Sequence, residues 1–578
     1  MMLAALVLVW CLATSGVAHA AAAAAGTQYF STTVEQGGAF HVSVLSTVPS
    51  DMPWGPNEAV RTSYTPSYLQ DGWDRLNIAT NPAMDDLVAA QAAGYTEGKL
   101  TAGSIYNHAV NTGVYGTKLN KNLTDFINTN QAFMLDKIKA AKSLDPSSDE
   151  AIYWRHVDIV NAQLLGVCEG YHSTATGADH PMPCLDFLRL NLDGDMEDLE
   201  GVYGEQPRTR EEMALSASHC SALIKLLPGN TDLYIAQDTW SSFNSMTRIM
   251  KRYDFPFTTG GQGHSRVPGS AVAFSSYPGV LFSGDDFYLI NSGLAVMETT
   301  IGNSNPALNK YIVPQTVLEW LRNIVANRLA HDGPSWDKVY RKYNSGTYNN
   351  QNFVLNYNLF TPGKKLQPNT LYMVEQIPGT VVATDVTSKL QEDLYFGSYN
   401  TAYDPEIRKL SGADENVELY GSWFTYNMTA RARIFRRNHT HVVDMPTMQA
   451  LMRYNNYKHD PLSSQMDTCH YRGMSNCTPP YTTENTIACR GDLNPKDGVW
   501  GLSAFGLRNH VATDSKISSF STFNATSLPI RAVSGPPSDQ VPVFQWSTSP
   551  FSDTPHHGMP DAWTFPWVTI GWSTPLSP

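Results

Sequence analysis

The chain has 578 residues, 42% of them hydrophobic, with 28 Tyr, 22 Phe and 13 Trp, so it can bury a large core and has no long disordered tract. Its net charge of −13, with no basic run longer than a pair such as Arg436-Arg437, argues against a nucleic-acid surface and against constitutive docking on anionic membrane. As a prior, this length implies about four domains.

Residues 1–20 are apolar and end on the small residues around Ala18-His19-Ala20, which predicts a secretory signal, with the cut falling as late as residue 25. No later segment approaches membrane-spanning length, so no integral membrane segment is expected. Five sequons fit passage through the secretory pathway: Asn122, Asn427, Asn438, Asn476 and Asn524, each two residues before a threonine. The destination is then a lysosome or the extracellular space.

Residues 27 to 75 read as short strands and turns. From 80 to 165 apolar residues recur at three- and four-residue spacing and predict helices. The stretch 193–219 begins acidic and polar ("DGDMEDLEGVYGEQPRTREEMALSA"), as an exposed, protease-sensitive linker would. Beyond it, "SALIKLL" and "DLYIAQDTW" flank Pro228-Gly229-Asn230-Thr231, which predicts a β-hairpin. Further strands follow, then a helix over "PQTVLEWLRNIVANRLA" with Pro314 near its first turn, then strands again at "NFVLNYNLF", "TLYMVEQIPGTVVATDVT" and "DLYFGSYNTAY". This order predicts an α+β fold rather than a Rossmann alternation.

Cys11 lies in the signal, leaving six cysteines. Cys168 and Cys184 bracket one loop, and Cys469, Cys477 and Cys489 cluster together. One bridge is expected in each cluster, with Cys168, Cys184, Cys469 and Cys477 as its members, Cys489 unassigned and Cys220 free. Cys220 opens the first strand of the hairpin. If the backbone breaks between His219 and Cys220, one residue carries both an α-amine, with a pKa near ~8, and a thiol. The amine can then take the thiol proton and the thiolate can attack a carbonyl. The competing reading of Cys220 is a buried or bridged cysteine.

The segment "CSALIKLLPGNTDLYIAQDTWSSFNSMTRIMKRYDF" resembles the start of the larger fragment of the phospholipase B-like proteins, lysosomal or secreted N-terminal-nucleophile hydrolases. The likeness runs through "DGWDRLNIATNP", "ETTIGNSNPAL", "RARIFRRN", "LMRYNNYKHDPLS" and "FQWSTSPFSDTPHHGMPDAWTF". It implies one four-layer αββα sandwich over 21–578, built from fragments 21–219 and 220–578 of a single precursor. It implies a self-processing hydrolase of phospholipid or lysophospholipid acyl esters that needs no cofactor and no metal. The same site would also suit amides, so an amidase acting on N-acyl or peptide bonds is the alternative, and a catalytically weak glycoprotein with a binding role is the third reading.

By this resemblance Cys220 is the nucleophile and its amine the base, with self-cleavage at His219/Cys220. Asn400 in "GSYNTAY" corresponds to an oxyanion donor, a contribution of about 3 kcal/mol. Arg431 would hold the thiolate or the substrate, while Gln237, Trp240 and Thr299 would belong to the substrate pocket. The plain alternatives are a turn-capping Asn400, an ion-paired surface Arg431 and a core Trp240. Relatives commonly read His-Asn-Thr-Trp where this chain has Gln237-Asp238-Thr239-Trp240. Arg490-Gly491-Asp492 lies within a family-like stretch and is not read as an adhesion motif. "DGDMED" fails the EF-hand pattern at Asp198, and His439, His441, His556 and His557 lack metal-ligand spacing.

Overall fold

The computed structural model describes residues 26–49, 52–206, 208–215, 220–572 and 576. The expected signal segment and His219 lie outside the described residues. Before Cys220 come strands β1 (Gln28–Val34), β2 (Phe40–Leu45), β3 (Glu58–Thr65) and β4 (Asp74–Thr80). The helical stretch follows as Asp86–Leu100, Ala102–Asn111, Lys121–Ala141 and Asp149–His172. The first and last of these cross at backbone contact. A Cβ on Gly94 or Gly98 would stand 1.9 or 2.1 Å from the carbonyl oxygen of Gln163 or Val167. Gly166 and Gly170 mirror them against Gln91 and Tyr95. These glycines weaken each helix locally and are kept because nothing larger fits.

After it, β5 (Cys220–Leu226) and β6 (Leu233–Ser241) form the antiparallel hairpin, with Cys220 opposite Thr239 and a 3₁₀ turn at Pro228–Asn230. Then follow β7 (Ile249–Asp254), β8 (Ala271–Ser276), β9 (Phe287–Ile290), β10 (Leu294–Thr300), β11 (Asn350–Asn356), β12 (Leu371–Ile377), β13 (Thr380–Asp385) and β14 (Tyr395–Ser398). The C-terminal third adds β15 (Val511–Ala512), β16 (Asp514–Ser519), β17 (Ile530–Ser534) and β18 (Val568–Ile570). The fold is α+β, with two large sheets. One has the order β13-β12-β11-β10-β9-β8-β7-β4-β3-β1-β2; the other runs β14-β5-β6-β16-β17-β18, with β15 on β6. The parallel pair β4–β7 joins strands from either side of Cys220 into one sheet. That single sheet rules out the four-domain division suggested by length.

Side-chain alternation along β5 and β6 sorts residues onto two faces. Ala222, Ile224, Leu226, Leu233 and Ile235 pack with Met250, Ala273, Leu289, Met297 and Phe353 of the larger sheet. Leu223, Tyr234 and Ala236 pack instead with Ile434, Phe435, Met448 and Met452 from helices Ala430–Asn438 and Met445–Met452. On the far face of the larger sheet, Ile249, Tyr288, Val296 and Val354 meet Ala89, Ala93, Ile159 and Trp336. Cys220 shares parity with Ala222, which puts it on the face turned to the larger sheet.

Two expectations are corrected. The helix near residue 314 runs only from Glu319 to Leu329, and Pro314 lies outside it. Its start is set by tertiary capping: the Asp195 carboxylate accepts from the Glu319 and Trp320 amides at 3.0 and 3.5 Å. The acidic stretch is not exposed throughout. It begins as a helix, Asp193–Tyr203, that buries Asp195 and Leu199. Farther along, Arg210 pairs with Glu415 at 2.6 Å and Glu211 with Arg472 at 3.1 Å, while 216–219 lie outside the described residues.

Disulfides join Cys168 to Cys184 and Cys469 to Cys477; Cys220 and Cys489 are free and buried. Among the described residues no helix is long and apolar enough to cross a membrane. Asn122, Asn427, Asn476 and Asn524 are exposed and Asn438 is half-buried.

Candidate active site

Cys220 begins β5 with its thiol buried, and it borders a cavity of about 260 Å³. Burial pushes the thiol well above its ordinary pKa, and the nearby Glu298 carboxyl adds to this. The Trp240 backbone N–H and the Lys516 ammonium work the other way. In the uninterrupted chain the sulfur is therefore held as a thiol.

Asn400 follows the end of β14 in a left-handed conformation, φ +66°. Asparagine tolerates that region better than most residues, but it still costs free energy, and such positions cluster at functional sites. The twist turns its side chain onto the start of β5. Its Oδ1 stands 3.4 Å from the Cys220 nitrogen, and its amide donates to the Thr300 carbonyl at 2.8 Å. As oriented, Asn400 offers an acceptor to the nitrogen of Cys220 rather than a donor to an oxyanion.

Arg431, early in helix Ala430–Asn438, is buried. Its guanidinium donates to the Cys220 carbonyl, to Tyr399 O at 3.0 Å and to Asn400 Oδ1 at 2.8 Å. It also lies 4.4 Å over the Trp240 ring. Burial pulls its pKa down to about 10, with Cys489 and Cys220 opposing. The alternative of a surface ion pair is thus excluded.

The other expected residues divide. Trp240 is buried on the face away from Cys220, against Ala488, Cys489 and Ala512, and donates to Ile487 O at 3.1 Å. Part of it still borders the cavity. Thr299 is fully buried; its Oγ1 sits 2.6 Å from Ser398 Oγ and accepts from the Asn400 amide at 3.4 Å. It supports Asn400, and its neighbour Thr300 is the one at the cavity wall. Gln237 points to the same face as Cys220 but two residues deeper. It donates to Glu298 O at 2.8 Å and leaves its Oε1 without a partner, away from the wall.

Two charged groups escaped the sequence reading because their members come from distant strands. Arg248, Asp285, Asp514 and Lys516 form a fully buried network beside Thr239, with Arg248–Asp514 at 2.7 Å and Lys516–Asp285 at 3.0 Å. Burial alone would raise Asp285, but Arg248 and Lys516 outweigh it and keep the carboxyl ionised. Opposite, Tyr348 donates to Asp286 and, at 3.3 Å, to Glu298. Burial raises Glu298 to about 8 and, with Glu298 beside it, lifts Asp286 well above the usual range. Asp193 and Glu197 bring further acidic groups to the cavity, where Tyr348 and His510 also stand.

The phospholipase B family model matches residues 60–570. The chain belongs to the phospholipase B family. It is 42% identical over 530 residues to a phospholipase B-like 2 protein of Bos taurus, covering 89% of this chain and 86% of the relative. The Homo sapiens counterpart is 41% identical over 529 residues, with the same coverage. Phospholipase B-like protein B of Dictyostelium discoideum is 36% identical over 523 residues, 88% of this chain and 85% of the relative. The family match spans both sides of Cys220, as the larger sheet does.

Proposed function

We propose that the protein is a self-processing cysteine hydrolase of the N-terminal-nucleophile kind, acting on phospholipid or lysophospholipid acyl bonds in a lysosome or outside the cell. The observation that carries this reading is the clamp on Cys220: the nitrogen faces Asn400 Oδ1, Arg431 grips the carbonyl, and the thiol opens on a cavity. Helices on the outer faces of two sheets that share a core support the four-layer sandwich such enzymes use.

In this reading the Cys220 sulfur attacks the His219 carbonyl and the C–N bond breaks, leaving a thioester and a free amine. Water then hydrolyses the thioester, releasing the His219 carboxylate and regenerating the thiol. The new amine inherits the place of the Cys220 nitrogen. Asn400 Oδ1 accepts a hydrogen bond from it, and the Arg431 charge disfavours the ammonium form, keeping the amine able to take the thiol proton. The thiolate then attacks substrate, and hydrolysis of the acyl-enzyme releases the acid. Thr299 and Thr300 hold Asn400 in place from β10.

One observation favours the amide alternative. The cavity wall carries Asp193 and Glu197, besides an Asp285 already paired with Arg248 and Lys516, and no lysine or arginine among its lining residues. Such a wall suits an uncharged or ammonium-bearing group better than a phosphate.

Intact mass and N-terminal sequencing after incubation in acid test the self-cleavage, the expected product being a fragment beginning at Cys220. Cys220→Ala should give neither cleavage nor turnover. Parallel assays on phosphatidylcholine and N-acyl amides then choose between ester and amide. A correctly cleaved protein that turns over neither would leave the binding-glycoprotein reading, and an intact chain that hydrolyses lipid would overturn the mechanism.

A further inference from the structure

Beside Trp240, three buried side chains of the C-terminal third converge at the edge of the Cys220 cavity. Glu484 is 1% exposed, Cys489 0% and His510 7%. His510 Nδ1 lies 3.6 Å from Cys489 Sγ and 3.4 Å from Glu484 Oε2, and all three donor atoms lie within 4.8 Å of one another.

The 3.6 Å contact is ordinary for a hydrogen bond to sulfur, whereas the 3.4 Å contact to the carboxylate is long for an ion pair. A charge-assisted N–H···O contact closes to about 2.7–2.9 Å. Moreover, a single ring nitrogen faces both neighbours, and it carries one proton or one lone pair, so it cannot serve both well. The same spacings suit the edges of a coordination polyhedron. Zinc bonds of about 2.3 Å to sulfur and about 2.05 Å to nitrogen or oxygen, at the tetrahedral angle, set S···N near ~3.6 Å and N···O near ~3.4 Å.

The surroundings preorganise the three groups. Arg508 donates to Glu484 Oε2 at 2.7 Å and to Oε1 at 3.3 Å, orienting the carboxylate as outer-shell partners of metal ligands do. The Ala512 amide donates to the Cys489 carbonyl at 3.1 Å, tying the cysteine loop to the strand that His510 leads into. His510 also borders the Cys220 cavity, which gives an ion a route from solvent. The other close grouping, Cys168, His172 and Cys184, has its two thiols consumed by a disulfide.

We propose that Glu484, Cys489 and His510 form a three-ligand site for a thiophilic divalent cation such as Zn²⁺, with water in the fourth position. The thiolate and imidazole select a zinc-class ion over Mg²⁺ or Ca²⁺. Binding converts the Cys489 thiol to a bound thiolate and releases one proton to the buffer. The site is independent of self-cleavage and does not need Cys220.

The test uses the chain carrying Cys220→Ala, which removes the other free thiol among the described residues. Zn²⁺ is titrated calorimetrically, and Co²⁺ is added to read the thiolate-to-cobalt charge-transfer absorption. The expected result is one ion per chain and a thiolate band. Cys489→Ser, close to isosteric, should abolish the band and weaken Zn²⁺ binding at least tenfold, and His510→Ala should also weaken it at least tenfold. Zn²⁺ should raise the melting temperature of the Cys220→Ala protein and not that of its Cys489→Ser derivative, a comparison that stands even if His510→Ala fails to fold. No stoichiometric binding, or binding and a band that Cys489→Ser leaves intact, would overturn the proposal.

Discussion

Arg431 donates to Asn400 Oδ1 at 2.8 Å, and that same oxygen stands 3.4 Å from the Cys220 nitrogen. One guanidinium therefore holds both the Cys220 carbonyl and the Asn400 oxygen that faces the Cys220 nitrogen. A lysine could reach one of these acceptors but not span them. Arg431→Lys should slow self-cleavage by about ten- to a hundredfold, the equivalent of one lost charged hydrogen bond at about 1.5–3 kcal/mol. Cleavage followed by gel densitometry, beside a melting curve, checks this. A variant that melts normally and cleaves at the parental rate would remove Arg431 from the mechanism.

The buried carboxyls set a pH dependence of definite sign. Burial raises Glu298 to about 8, Glu375 to about 7 and, with Glu197 adding, Asp198 to about 7. Raised acids stay protonated in the fold while the unfolded chain ionises, so their contribution is full below about pH 4.5 and is lost as pH rises through the folded values. Buried histidines oppose this in acid: burial holds His108 down to about 3 and His439 to about 4, which costs stability below about pH 6.5. Between about pH 6.5 and about pH 8 only the carboxyls act, so the melting temperature should fall across that interval. Glu298→Gln should flatten the upper part of the fall. It should also speed cleavage above about pH 8, where Glu298 is ionised and its charge opposes formation of the Cys220 thiolate, and leave the rate at neutral pH nearly unchanged.

Gly94 sits in the middle of a helix, where alanine would ordinarily stabilise by about 1 kcal/mol. Here the added Cβ would come 1.9 Å from the Gln163 carbonyl oxygen. Gly94→Ala should instead destabilise by about 1–3 kcal/mol, as overpacking does, because two helical backbones must move apart. Urea unfolding measures the sign. A stabilised variant would mean that the helices separate easily.

Much of this was legible in the chain. The hairpin at Cys220 was marked by two apolar runs around Pro228-Gly229, and the helices before it by their periodicity. The start of helix Glu319–Leu329 was not legible, because Asp195 caps it from more than a hundred residues away, and Pro314 misled as a local signal. Asn400 and Arg431 were reached through resemblance, since nothing in their local sequence says that they meet at the Cys220 backbone. The Arg248–Asp285–Asp514–Lys516 network exists only through strands far apart in sequence, while Glu484, Cys489 and His510 stand close along the chain but in no standard ligand spacing, and only the loop packing brings them together.

Gln237, where the family resemblance points to histidine, raises the question of whether a histidine there would titrate. Gln237 is fully buried and lies opposite Lys516 in the β6–β16 register, with Lys516 itself buried in an ion network. An imidazole there would meet burial and a neighbouring ammonium, and both disfavour its cation. Gln237→His should therefore keep a neutral ring, donate to the Glu298 carbonyl as the amide does, and leave the pH profile of self-cleavage unshifted between about pH 5 and about pH 7.5, the span in which an ordinary histidine titrates. Cleavage rates of the two proteins across that range decide the matter. A new inflection in the variant near about pH 6.5 would show that the position can hold a charge, and that the glutamine in this chain has removed an acid-dependent step.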